Sequence, residues 1–127
     1  MFQRRPVESV RPTLDTDYLA RLEGHLGQAA LAEVLADGLI ELSDRLRRMG
    51  ELERNGDLES IARLGHDLVG MAGNLGLARL SVAAAELNRA AREGTVSAAL
   101  AEASLVRRLG FEATDALRHH LTRLSRD

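Results

Sequence analysis

Residues 58–76 read LESIARLGHDLVGMAGNLG. Leu58, Ile61, Leu64, Leu68, Met71 or Ala72, and Leu75 recur at steps of three and four, the period of one helical face. At about 100° per residue, His66 lies about 200° around this helix from Leu68. If the leucines face a core, the imidazole faces out. Gly70 and Gly73 stand four and seven residues after His66, on its own face. A helix interior disfavours glycine by about 1 kcal/mol relative to alanine, and here that cost is accepted twice beside one histidine. The ring therefore stands over bare backbone, with room for something large to reach it. Ala62 and Val69 extend this small, apolar surround, where a solvated face normally carries charge. Ala62, Val69, Gly70 and Gly73 are the expected docking face.

The same periodicity extends to both sides. A helix over about Leu58–Leu75 is preceded by Asn55-Gly56-Asp57, where Gly56 can end one helix in the left-handed conformation and Asp57 can cap the next. Before it, Leu31, Val34, Leu35, Leu39, Leu42, Leu46, Met49 and Leu52 form one stripe, predicting a helix over about Gln28–Arg54. Gly38 interrupts that stripe, as expected where another helix approaches closely. A shorter helix, about Asp15–His25, is capped by Asp15 or Thr13. After Gly76 come a helix over about Ala78–Arg92, with Leu80, Ala84 and Leu87 inward, and one over about Val96–Arg123. Short connections between long amphipathic helices imply antiparallel neighbours. The expected architecture is all-α: an antiparallel four-helix bundle of the second to fifth helices, with a short additional N-terminal helix. Residues 1–12, with two prolines and three arginines, are expected to form an extended arm. Residues 13–127 are expected to form a single domain.

Composition narrows the function. The chain of 127 residues carries a net charge of −2, and all 17 basic residues are arginine. No concentrated basic footprint and no set of aromatic platforms is present, so a nucleic-acid partner is not expected. No apolar run is long enough to span a bilayer and no signal peptide is visible, so the expectation is a cytoplasmic protein with no membrane partner. With zero cysteines, disulfides, thiolate metal sites and cysteine nucleophiles are excluded. Of the four histidines, His25 falls near a helix end, where it complements the dipole, and His119 and His120 read as solvated residues near the chain end. Asp115 and His119 stand at i, i+4 but lack a second such pair, so no metal site is expected.

The run around His66 resembles the signature of the histidine-containing phosphotransfer (HPt) domain family. The matching positions are His66, Leu68, Gly70, Ala72, Gly73, Asn74, Leu75, Gly76 and Leu80. Val69 departs from the pattern, because the family usually has lysine there. The resemblance implies that His66 is a phosphoacceptor, taking a phosphoryl group from a receiver-domain aspartate and returning it. The implied partner is a response-regulator receiver domain or a hybrid histidine kinase. Mg2+ is expected on the receiver, and no cofactor on this chain. The absence of a Gly-rich phosphate loop implies no autonomous kinase activity.

In that family the lysine lies beside the phosphoryl oxygens, and Val69 cannot act there. Arg63, three residues before His66, is the nearest substitute, and Arg79, just past the following turn, is a second candidate. An alternative keeps the fold without the chemistry: an HPt-like adaptor that binds a receiver or kinase and is never phosphorylated. The stop signals between helices favour a monomer over a long coiled coil.

Overall fold

The computed structural model describes residues 11–126. Five helices follow one another: α1 (Thr16–Leu26), α2 (Gln28–Asn55), α3 (Leu58–Asn74), α4 (Ala78–Glu93) and α5 (Val96–Arg126). Each lies within a few residues of its predicted span. The arm expected over residues 1–12 lies outside the described residues except for Arg11 and Pro12, whose carbonyls accept bonds from Arg79.

Local chemistry sets the boundaries. The Asp15 carboxylate accepts the Tyr18 amide at 3.0 Å and starts α1, so Asp15 rather than Thr13 is the cap. Asp57 does the same for α3 through the Ser60 amide at 3.1 Å, and the Thr95 hydroxyl caps α5 through the Ala98 amide at 3.0 Å. Gly56, at φ 65°, takes the left-handed conformation after α2. There the Gly56 and Asp57 amides return to the Glu53 and Leu52 carbonyls. After α3 the pattern repeats. Gly76 sits at φ 77°, its amide bonds the Gly73 carbonyl at 3.1 Å, and the Leu77 amide bonds the Ala72 carbonyl at 2.8 Å. α5 runs three residues past its predicted end because Leu124 is buried, with its carbonyl held by the Gln28 side chain at the start of α2.

The tight turns fold the long helices back on one another. α2, α3, α4 and α5 pack in a closed ring, each against its two neighbours, and α1 lies on α2 and over the α3–α4 turn. The Asp15 amide bonds the Gly76 carbonyl at 2.7 Å and the Tyr18 hydroxyl bonds the Asn74 carbonyl at 3.0 Å. The core is aliphatic: Leu31, Leu35, Leu42, Met49, Ile61, Leu68, Leu80, Leu87, Val106 and Leu117 are fully buried. Burying a side chain of this size contributes about 1.5–3 kcal/mol, so the stripes and not the turns carry most of the stability.

Gly38 lies under Leu75, where even a methyl group would stand 2.5 Å from the leucine. The expected close helix contact is therefore between α2 and the end of α3. Val34, predicted on the buried stripe, is instead 41% exposed. Leu31 and Leu35, on either side of it in the same stripe, are fully buried, so Val34 lies at the solvent edge of that stripe.

Candidate functional site

His66 projects from the middle of α3 and is exposed, while Leu64 and Leu68 on the opposite face are buried. The amphipathic spacing of α3 alone produces this orientation. Along the same face, a side-chain atom added at Gly70 would meet nothing within 4 Å, and one at Gly73 would meet only the Ser81 hydroxyl, at 3.7 Å. The backbone beside the ring is open in the direction that the glycines predicted.

The flank toward α4 is different. Ala62, placed on the docking face by spacing, is only 3% exposed. It is one turn before His66 but rotated toward α4, and the Asn88 amide donates to its carbonyl at 2.7 Å. That carbonyl is also the one that the His66 backbone amide reaches in an α-helix. Asn88 thus ties α4 to the helical turn that carries the ring. Val69 is half-buried against the core, and its carbonyl accepts the Ser81 hydroxyl at 2.8 Å. Gly65 permits this close packing, since a methyl group there would stand 3.3 Å from the Ala84 carbonyl oxygen. The accessible face therefore consists of His66, Gly70 and Gly73 with the rim of Val69, and Ala62 lies beneath it.

Toward the start of α3, His66 borders a hollow of about 310 Å³. Arg48 of α2, Ser60, Arg63 and Asp67 of α3, and Arg92 of α4 contribute to its walls. Arg63, expected from spacing, is present. Its guanidinium is engaged by the Glu59 carboxylate at 3.0 Å and the Ser60 hydroxyl at 3.2 Å. Arg79 is not part of the hollow. Its side chain donates to the Arg11 carbonyl at 2.8 Å, which fastens the segment before α1 to the start of α4. A residue just past the α3–α4 turn is at the end of the bundle, whereas the ring is mid-helix, so chain proximity misled the expectation.

Arg48 and Arg92 were not predicted. Arg48 reads in sequence as part of the solvated flank of α2, and no spacing rule links it to position 66. Antiparallel packing alone brings them together. The positive field shows at the start of α3. The Asp57 carboxyl is held below the usual carboxylate range, first by its hydrogen bonds with Ser60 and then by the charges of Arg63 and Arg48.

The remaining histidines lie elsewhere. His25 and His119 are exposed. His120, expected to be solvated, is half-buried, with Nε2 enclosed and without a hydrogen-bond partner. Burial, then the nearby Arg123, lowers its pKa below the ordinary imidazole value, against a smaller opposing effect of Glu23. Among the described residues no three His, Asp or Glu side chains converge as a metal site requires, and no helix is long and apolar enough to cross a membrane.

Comparison with known proteins bears on the family and the fold. The family model described as Hpt domain matches residues 16–127. Among solved structures, the chain resembles histidine-containing phosphotransfer protein B (HptB) from Pseudomonas aeruginosa PAO1, with a TM-score of 0.79 and 23% sequence identity. The match covers 88% of this chain and 96% of that one. No curated protein matches the chain.

Proposed function

The chain belongs to the Hpt domain family, and from that premise we propose that it is a phosphorelay intermediate that accepts and donates a phosphoryl group at His66. The observation that carries this reading is an exposed mid-helix imidazole beside the open backbone of Gly70 and Gly73. A neutral imidazole has a nucleophilic ring nitrogen. In the forward step its lone pair forms the N–P bond while the O–P bond of an aspartyl phosphate breaks and the carboxylate leaves with the electron pair. The ring keeps the proton on its other nitrogen. Such transfer depends on in-line approach and on stabilising charge spread over the phosphoryl oxygens.

A convex site of this kind suits a concave partner. The partner is a receiver domain, free or within a hybrid kinase, that docks on α2 and α3 around the ring and brings the Mg2+. The chain itself acts as a monomer in the cytoplasm and carries the group without making it from a nucleotide. The bare backbone at Gly70 and Gly73 admits the partner loop that holds the aspartate, and the Val69 rim gives it an apolar contact. Arg63 can approach the phosphoryl oxygens only by leaving Glu59.

Incubation with a phosphorylated receiver should yield an acid-labile phosphoprotein, and His66→Gln should abolish the label. A wild-type chain that stays unlabelled across a panel of receivers, while still binding one of them, would leave the adaptor reading standing instead. Val69 is the feature that favours that second reading.

A further inference from the structure

The hollow beside His66 collects positive charge from three helices. Arg48, Arg63 and Arg92 line it together with a single carboxylate, Asp67. This is not a general excess, because the whole chain carries a net charge of −2. Some surface arginines have carboxylate partners, among them Arg47 with Asp44, Arg89 with Glu86, and Arg107 with Glu53. Arg63 is likewise occupied by Glu59. Others, such as Arg21 and Arg126, have none among the described residues; what sets Arg48 and Arg92 apart is that they line one hollow with His66. Arg48 and Arg92 have neither a hydrogen bond nor an ion pair with another described residue, and Arg48 reaches Asp57 only through its field. Two guanidinium groups, unpaired on a surface rich in carboxylates, thus converge beside one nucleophilic ring. The arrangement is short of an anion.

We infer that Arg48 and Arg92 are the phosphoryl-binding residues of this chain, supplying from α2 and α4 the charge that Val69 does not supply from α3. The inference rests on the reading of His66 as phosphoacceptor and names what holds the group there. A guanidinium presents a planar fork of donors that matches two phosphoryl oxygens at once, and it is always charged. Placed on both flanks of α3, two such forks can donate to the oxygens of a group standing outward on the ring. They neither give nor take a proton. Their part is to offset negative charge as the N–P bond forms and to hold the product afterwards.

The test needs no partner protein. The purified chain is treated with phosphoramidate, whose P–N bond breaks as the ring N–P bond forms, with ammonia leaving with the electron pair. Labelling rate and phosphohistidine lifetime are measured for the wild type, Arg48→Gln, Arg92→Gln, the double variant, Arg48→Lys and Arg47→Gln. Each glutamine variant at 48 or 92 should slow labelling or shorten the lifetime by about 3- to 10-fold, the range for a charged hydrogen bond weakened by solvent. The double variant should lose more than either alone, and Arg48→Lys should recover part of the loss. Arg47→Gln should match the wild type. The deficits should shrink as salt is raised. Both side chains are exposed, so thermal unfolding should be unchanged and a folding defect is separable. A labelled double variant with wild-type rate and lifetime would overturn the assignment while leaving His66 as acceptor. A wild type that neither phosphoramidate nor a phosphorylated receiver can label would overturn both.

Discussion

Val69 packs its branched side chain against the core while its neighbour on the helix face, His66, stands in solvent. A lysine at 69 could lay its stem along that apolar surface and bring its ammonium out beside the ring. Val69→Lys should therefore raise the rate of phosphoryl transfer from a receiver by about 10-fold or more, the value of one charge-assisted hydrogen bond. Its cost in stability should stay under about 1 kcal/mol. Stopped transfer assays with the two proteins give the comparison, and equal rates would mean that position 69 does not limit the step. Glu59 offers a second test at this scale. It lies on the His66 face, seven residues earlier, and holds Arg63 at 3.0 Å with both side chains largely exposed. Glu59→Gln removes a repelling carboxylate and frees a cation at once. The phosphohistidine should live a few-fold longer, with stability changed by no more than about 0.5 kcal/mol, as measured by label decay and urea unfolding.

Along α3 the glycines separate into distinct roles. Gly70 borders open space, so a methyl group there meets nothing and removes the entropic disadvantage of glycine in a helix. Gly70→Ala should stabilise the protein by about 0.5–1 kcal/mol. Gly70→Leu should also fold, yet weaken receiver binding by tenfold or more if a partner seats on that backbone, as titration of the two proteins would reveal. Gly76 behaves oppositely. Its φ of 77° is left-handed, and an added methyl group would stand 3.1 Å from the Tyr18 ring. Gly76→Ala should cost about 1–2 kcal/mol, visible as a lowered urea midpoint with the slope unchanged. Finding Gly70→Ala to be the more damaging of the two would contradict this division of α3 into an open face and a strained exit.

For the whole molecule, the clearest response to pH comes from the opposite side of the bundle, at His120 on α5. Its folded pKa lies below the ordinary value of 6.5 because burial and Arg123 disfavour the charged ring, while Glu23 opposes them. Between the folded and the ordinary pKa the unfolded chain binds more protons than the folded one. Stability therefore increases with pH across that window, is fully present above it, and is lost on acidification. Unfolding midpoints measured from pH 7.5 down to 5.5 should fall, and His120→Leu should flatten the decline. The site at His66 is remote from this device, so the same substitution should leave labelling by a phosphorylated receiver unchanged. A slope as steep in His120→Leu as in the wild type would place the acid sensitivity in other groups.

The sequence by itself determined the elements and the outward direction of the acceptor. Stripes of leucine at helical spacing define one buried face per helix, and a residue about 200° from Leu68 has only solvent left to it. Asp15, Gly56, Asp57 and Gly76 set the ends through bonds that span three to five residues, which is why the boundaries were legible. Only the tertiary structure decided what surrounds the ring. Ala62 is covered because α4 packs close at Gly65, and Val34 is bare although Leu31 and Leu35 on either side of it are fully buried. Arg79 is drawn to Arg11 at the end of the bundle, and Arg48 and Arg92 share the hollow beside His66 from the helices before and after α3. Periodicity fixes the angle of a side chain about its own axis. It carries no information on which neighbouring helix lies alongside, or at what height, and those two quantities govern the charge and cover of the site.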